Sequence, residues 1–185
     1  MYKLLAAISL FIFAITVFAS SNTSGIIFQD TFQSESSELR LNGAGLRKKF
    51  VIKVYAAGLY LVQKETDEHK IIETDEPMTI RMVMIYNGIS PEKMKETWTE
   101  GFQANTPDIQ PLQERINTLT SWFTEEAKSG DIYDISYEPG KGTSLIINGE
   151  RRGTVKGLDF KKSLFSVWLG ERPADKKLKE AMLGR

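Results

Sequence analysis

The segment LNGAGLRKKFVIKVYAAGLYL, residues 41–61, places two glycines, three consecutive cations and a nearly unbroken apolar run side by side. Residues 51–61 are rich in β-branched and aromatic side chains and are too few for most amphipathic helices, which predicts a strand that is covered on both faces. Gly43 and Gly45 predict a turn that interrupts the chain before this strand. Arg47 then either holds an anion or is a surface cation beside Lys48 and Lys49.

The rest of the chain predicts further strands and helices in an irregular order. Short strands are predicted at residues 26–32 and 39–41, a strand with one apolar face at 78–86, and a meander at 131–137, 143–147 and 150–156. Helices are predicted after the cap Ser90, over residues 108–128, from Phe160 to Gly170, and over 175–183. The absence of regular alternation favours an α+β fold of one domain, in which helices pack on one side of an antiparallel sheet.

The composition excludes several classes of function. Lysine plus arginine and aspartate plus glutamate both number 24 in the 185 residues, so the overall charge gives no reason to expect nucleic acid as a partner. The chain has no cysteine and a single histidine, His69, so a zinc site cannot be assembled and a Ser/His triad is not favoured. No phosphate-binding glycine motif is present. We therefore expect no metal and no organic cofactor.

The N-terminal segment has the pattern of a secretory signal. Lys3 precedes an apolar run over residues 4–18, and Val17-Phe18-Ala19 ends in a small side chain, which predicts a signal peptide at 1–19 and a mature domain at 20–185. A retained membrane anchor is the alternative, although the run is shorter than the ~20 residues that a spanning helix needs. Export across a bacterial inner membrane to the periplasm is expected. Membrane contact by the mature domain is compatible with the sequence but is not indicated by it.

Two segments of the chain resemble chalcone isomerase-like proteins. The first carries Leu41, Gly43, Gly45 and Arg47, followed by a strand that ends in Gly-Leu-Tyr-Leu at residues 58–61. The second is KGLDFKKSLFSVWLGERPADKKLKEAMLG at residues 156–184, which is similar to the closing helix, Trp-Leu-Gly turn and final helix of that family. The resemblance implies an open-faced β-sandwich: a large antiparallel sheet, a layer of helices on one side, and a ligand cleft between the two.

The same resemblance implies the character of the site. The family contains plant enzymes that close a chalcone into a flavanone and non-catalytic members that bind fatty acids. Arg47 matches the arginine shared by both groups, whereas the other polar residues of the enzymes fall at Tyr55, Lys93, Glu100 and Val167. This departure disfavours chalcone cyclisation. The fatty-acid-binding members pair the arginine with a tyrosine on the next strand, and Arg47 with Tyr55 fits that arrangement.

The leading hypothesis is accordingly an exported, non-catalytic monomer that binds a fatty acid or similar amphipathic carboxylate. The predicted ligand-binding residues are Arg47, Tyr55, Met82, Met84 and Val167. Ordinary core packing is the alternative for the methionines, since thioether chains fill irregular gaps in any core. Two other functions stay open: an isomerase of a chalcone or other enone, using Arg47 and Tyr55, and a partner-binding module whose cleft is filled by Trp98, Trp168 or Phe165.

Overall fold

The computed structural model describes residues 20–185, which contain nine strands and five helices. The predicted signal segment, residues 1–19, lies outside the described residues. The strands are β1 (Ser20–Thr23), β2 (Ile26–Gln29), β3 (Thr31–Gln33), β4 (Glu38–Lys49), β5 (Ile52–Leu61), β6 (Met78–Met84), β7 (Ile132–Glu138), β8 (Gly142–Ile147) and β9 (Glu150–Val155). The helices are α1 (Glu68–Glu73), α2 (Pro91–Asn105), α3 (Gln113–Ser121), preceded by a 3-10 turn at Gln110–Leu112, α4 (Leu158–Leu169) and α5 (Lys176–Met182).

The main structural feature is one large antiparallel sheet. Strands β3 to β9 form one seven-stranded antiparallel sheet in chain order, and β1 with β2 forms a separate hairpin. The predicted α+β class and the antiparallel sheet are confirmed. Among residues 20–185, no helix combines the length and the apolar character that a membrane crossing requires.

Strand β5 lies between two apolar clusters, as its hydrophobic run, broken only by Lys53, predicts. Ala57 and Leu59 belong to the large core between the sheet and the helices. Ala56 and Tyr60 point to the other face, where they pack with Phe28 of the β1–β2 hairpin. Burial on both faces accounts for the absence of polar alternation along this strand. Residue Val51, however, was predicted as part of the strand and lies outside it, in an exposed turn.

The two glycines of the opening segment do not form the predicted turn. They lie inside β4, which runs unbroken from Glu38 to Lys49, and the chain reverses only at Phe50 and Val51. The reason is close packing by α5. A Cβ atom on Gly43 would overlap the carbonyl oxygen of Ala181, and one on Gly45 would lie 2.6 Å from the Ala181 Cβ. Because these two residues have no side chain, α5 packs directly against the backbone of β4.

We expect Gly43→Ala to lower the free energy of unfolding by about 2 kcal/mol, because the new methyl group forces the backbone of α5 away from β4. Urea denaturation followed by circular dichroism measures the effect. Ala44→Ser is the control, since Ala44 packs with the cluster on the opposite side of the sheet. Equal effects of the two substitutions would show that α5 does not depend on this approach.

The helix predicted over residues 108–128 is shorter in the structure than the apolar spacing of its sequence predicts. Only Gln113–Ser121 is α-helical, after the 3-10 turn. Phe123 and Ala127 continue the apolar spacing and are buried, but they belong to irregular chain in which the backbone of Ala127 pairs with Ile89. The prediction was wrong because burial of apolar residues, not helical geometry, produced the spacing beyond Ser121. The helices predicted from Phe160 to Gly170 and over 175–183 begin and end within about two residues of α4 and α5, and the helix predicted after Ser90 begins at Pro91.

Candidate functional site

A cavity of about 250 Å³ lies between the sheet and helices α2 and α4. Strands β4, β5 and β6 form its floor, the two helices form its roof, and the chain before α5 closes one side. The five residues predicted to bind a ligand all line it: Arg47, Tyr55, Met82, Met84 and Val167. The structure shows that these residues lie together, and their role in binding stays a prediction.

Strand pairing places the polar residues of the cavity side by side. In the antiparallel register Arg47 of β4 is opposite Tyr55 of β5, and Tyr55 is in turn opposite Met84 of β6. Cross-strand partners have Cβ atoms only ~5 Å apart, so a cation, a phenol and a thioether form one row across the floor. The row exists because the chain reverses at Phe50 and Val51 and not directly after Arg47.

Tyr55 is buried and keeps a hydrogen-bond donor free. Its hydroxyl oxygen accepts a hydrogen bond from Trp168 Nε1 at 2.9 Å, and the residue is 6% exposed. Burial raises the pKa of Tyr55, while the positive charge of Arg47 and the bond from Trp168 act in the opposite direction and are weaker. The phenol is therefore neutral at physiological pH. Its proton has no acceptor among residues 20–185 and can be donated to a ligand oxygen.

Arg47 also carries an unused donor beside the cavity. Its guanidinium carbon lies 5.5 Å from the centre of the Tyr55 ring, so the cation rests against the aromatic face. Its Nε is buried and has no hydrogen-bond partner in the described part of the chain. A buried donor without a partner costs about 1–3 kcal/mol. A carboxylate oxygen in the cavity would remove this cost after a change of the Arg47 rotamer, because the Nε is enclosed in the present conformation.

The remaining walls are mostly apolar. Met82 and Met84 are each 2% exposed, and Trp98 packs edge-on against Trp168 with ring centres 5.4 Å apart. The tryptophans narrow the cavity without filling it, and Phe165, although buried in the core, does not line it. A mostly apolar interior with the donors of Arg47 and Tyr55 side by side matches an amphipathic anion better than a fully polar ligand.

Several lining residues were not predicted from the sequence. Gly101, in the middle of α2, is one: a Cβ there would lie 2.7 Å from Val167 Cγ1, so the glycine allows α2 and α4 to approach closely. A glycine inside a helix is itself a signal of such an approach. Arg172 and Glu100 also line the cavity from exposed positions, and nothing in the sequence pattern marks Arg172.

The described residues show no arrangement suited to a metal ion. No three His, Cys, Asp or Glu side chains of residues 20–185 are grouped closely enough to hold one. His69 is exposed near the start of α1, where its backbone amide donates to the cap residue Asp67.

Comparison with known proteins adds independent information. A sequence profile of a family described as chalcone isomerase-like matches residues 20–184. Fatty-acid-binding protein 1 of Arabidopsis thaliana is 28% identical over 174 residues, a match that covers 78% of this chain and 62% of that protein. The chain thus spans less than two thirds of the length of this relative. The crystal structure of the Arabidopsis thaliana fatty-acid binding protein AtFAP1 has a TM-score of 0.72 and 23% identity, covering 89% of this chain and 96% of that one, which establishes a shared fold.

Proposed function

Because the chain belongs to the chalcone isomerase-like family, we propose that it binds a fatty acid or similar amphipathic carboxylate in the cavity between sheet and helices, without transforming it. The observation that carries this proposal is the pair of unused donors on Arg47 and Tyr55, which lie side by side on the floor of a mostly apolar cavity. The name of the similar Arabidopsis thaliana protein, fatty-acid-binding protein 1, supports the same class of ligand.

The head group is held by charge and geometry. A guanidinium offers parallel N–H groups that match the two oxygens of a carboxylate, and it keeps its charge when partly buried. Arg47 supplies these donors, and the Tyr55 proton adds one more from the neighbouring strand. Each hydrogen bond to a charged group contributes about 1.5–3 kcal/mol. The head group alone therefore gives specificity for an acid but only modest affinity.

The acyl tail supplies the rest of the affinity. Each buried methylene contributes about 0.8 kcal/mol before ordering costs are subtracted. A cavity of about 250 Å³ is small for a ligand site, since typical pockets hold ~300–1,000 Å³. Met82 and Met84 can change rotamer to follow a flexible chain. We expect acyl chains of medium length to bind more tightly than long ones.

The side chains around the cavity do not favour isomerase chemistry. Val167 presents only methyl groups where the enzymes are expected to have a hydroxyl. Lys93 forms a salt bridge of 2.6 Å with Glu96 on the exposed side of α2 and does not line the cavity. Glu100 at the rim has only hydrogen-bond acceptors when it is ionised, so it supplies no donor to a developing oxyanion. The arrangement stabilises a bound anion at Arg47 but offers little to a reaction.

Mass spectrometry of the purified protein tests the proposal without a guess at the ligand. Residues 20–185 are purified under native conditions, denatured and extracted, and we expect fatty acids of medium chain length to co-elute with the protein. Protein stripped of lipid should take up added fatty acids again. The proposal fails if no acyl chain is recovered and none binds on addition. Loss of chalcone absorbance on incubation with the protein would instead support the isomerase.

A further inference from the structure

The turn between β4 and β5 carries an apolar tip that the fold itself does not use. Phe50 is 91% exposed and Val51 93% exposed, and Ile52 at the start of β5 is also exposed. Single exposed apolar residues are common on protein surfaces, but three consecutive ones at the end of a projecting hairpin mark a contact site. The hairpin tip, Phe50–Val51–Ile52, has no partner in the described part of the chain.

The backbone conformation at this tip is strained. Phe50 has a φ of +56°, which is rare for a residue with a bulky side chain. Two-residue hairpin turns with a positive φ at the first central residue strongly favour glycine at that position. Folding alone would therefore select glycine and polar residues here. An aromatic residue in a strained conformation indicates that its side chain serves a purpose outside folding.

A collar of positive charge surrounds the tip. Lys48, Lys49 and Lys53 are all exposed, and Lys48 and Lys49 form no salt bridge within residues 20–185. Two carboxylates lie nearby, and both have other partners. Glu96 pairs with Lys93, and Asp175 caps α5 while accepting the Lys48 backbone amide. The side chains of Lys48 and Lys49 are thus free to meet an external anion, while Lys53 Nζ donates a hydrogen bond to Ser24 Oγ at 2.6 Å.

We propose that the hairpin tip docks on a lipid bilayer that contains anionic lipids, with Phe50, Val51 and Ile52 in the interfacial region and the lysine collar among the headgroups. Apolar side chains framed by lysines are the combination that such interfaces attract, through burial of apolar area and attraction to negative lipids. A protein partner fits less well, because a stable protein interface needs ~800 Å² on each side, and the tip is a small projection and not a groove or a flat face.

Docking in this way has a consequence for the cavity. Arg47 lies in β4 only three residues before Phe50, so a docked tip would bring the cation at the cavity close to the headgroup layer. A ligand could then pass between bilayer and cavity with a short aqueous path. This consequence rests on the proposed function, whereas the docking itself does not.

Vesicle flotation tests the proposal. Residues 20–185, which contain the whole described sheet and core, are mixed with vesicles of phosphatidylcholine alone or of phosphatidylcholine with phosphatidylglycerol. We expect the protein to float with the phosphatidylglycerol vesicles and not with phosphatidylcholine alone. F50S/V51S should weaken this partitioning about tenfold or more, through loss of apolar burial. Lys48→Glu with Lys49→Glu should abolish it, because each cation near an anionic surface contributes about fivefold.

Matched controls test whether exposed apolar residues and lysines elsewhere on the protein affect vesicle binding in the same way. Ile27→Ser removes another exposed apolar side chain, and Lys64→Glu with Lys156→Glu reverses two exposed charges at the opposite end of the sheet. Neither should change partitioning by more than about twofold. Phe50→Gly should raise the melting temperature by about 2 °C by relieving the backbone strain, while it weakens vesicle binding.

The proposal is wrong if the wild-type protein ignores both kinds of vesicle, or if the controls reduce binding as much as the tip variants do. A dimer in analytical ultracentrifugation that dissociates in F50S/V51S would overturn it in favour of a second copy of the chain. Fatty-acid binding is measured separately in detergent-free buffer. Loss of vesicle binding with fatty-acid binding intact, and the reverse, therefore distinguish failure of one proposal from failure of the other.

Discussion

Arg47→Met is expected to weaken the binding of a medium-chain fatty acid by about a hundredfold. Methionine keeps much of the length and apolar volume of the side chain but removes the cation and its N–H donors. Two lost hydrogen bonds to a carboxylate correspond to roughly 3 kcal/mol, or about two powers of ten in Kd. Isothermal titration calorimetry on lipid-free residues 20–185 measures this change. Since the Arg47 Nε has no partner in the described structure and mainly the contact with the Tyr55 ring is lost, the substitution should lower the free energy of unfolding without ligand by no more than about 1 kcal/mol.

A comparison of the fatty acid with its methyl ester is the sharpest control for this result. The wild-type protein should bind the fatty acid much more tightly than its methyl ester, because the ester has no negative charge for Arg47 to hold. In Arg47→Met the two ligands should bind about equally. If the acid keeps its advantage over the ester in the variant, the carboxylate is held elsewhere, for example by Arg172 at the rim.

A second arginine gives a matched control within the chain. Arg152 also has a buried Nε without a hydrogen-bond partner, but it lies in β9 and does not line the cavity. Arg152→Met should leave the affinity for fatty acid unchanged. Equal losses in the two variants would mean that general charge, and not the position of Arg47, governs binding.

Part of this site could be predicted because the resemblance to the chalcone isomerase-like family pairs the arginine with a tyrosine on the next strand. In the structure Arg47 is opposite Tyr55 across a register shift after Arg47, and the alternation of β6 places Met82 and Met84 on the same face as Tyr55. The position of the reversal could not be predicted. Gly43 and Gly45 carry the usual signal of a turn, yet here they allow α5 to pack closely, and a glycine in the sequence does not distinguish these two uses.

Contacts between distant segments explain what the sequence could not reveal. The approach of α2 to α4 depends on Gly101 meeting Val167, residues 66 positions apart in the numbering. Phe123 and Ala127 are buried without being helical, because the Ala127 backbone pairs with Ile89. Lys161 and Lys162 look identical in the sequence, yet the former is completely buried and the latter is partly exposed. Local periodicity carries no information about such partners.

That difference between the two lysines leads to the largest stability effect that we expect. Lys161 of α4 is 0% exposed, and its Nζ donates hydrogen bonds to the carbonyl oxygens of Ile71, Ile72 and Thr74 at 2.7–2.8 Å. These carbonyls belong to the end of α1, where a helix has no internal donors left. One buried ammonium group thus closes α1 and joins it to α4.

Lys161→Met is expected to lower the free energy of unfolding by about 3 kcal/mol at pH 7, because three carbonyl oxygens lose their donor in an enclosed site. Urea denaturation measures the loss. Lys162→Met is the matched control: Lys162 forms a partly exposed salt bridge with Glu73, and such pairs contribute about 0–1 kcal/mol. Losses of similar size in the two variants would contradict the capping role.

The pH dependence gives this prediction a second readout. Burial lowers the pKa of Lys161 from 10.5 to about 8, with a further lowering by the charge of Lys162. Between about pH 8 and 10.5 the unfolded chain therefore holds a proton on this group that the folded chain has released, so that stability contributed by the group rises with pH. We expect the free energy of unfolding of the wild-type protein to rise, relative to that of Lys161→Met, as the pH is increased from 8 towards 10. If the difference in the free energy of unfolding between the two proteins stays constant over this range, the pKa of Lys161 is the same in the folded and the unfolded chain. The carbonyls of α1 would then offset the full effect of burial on this pKa.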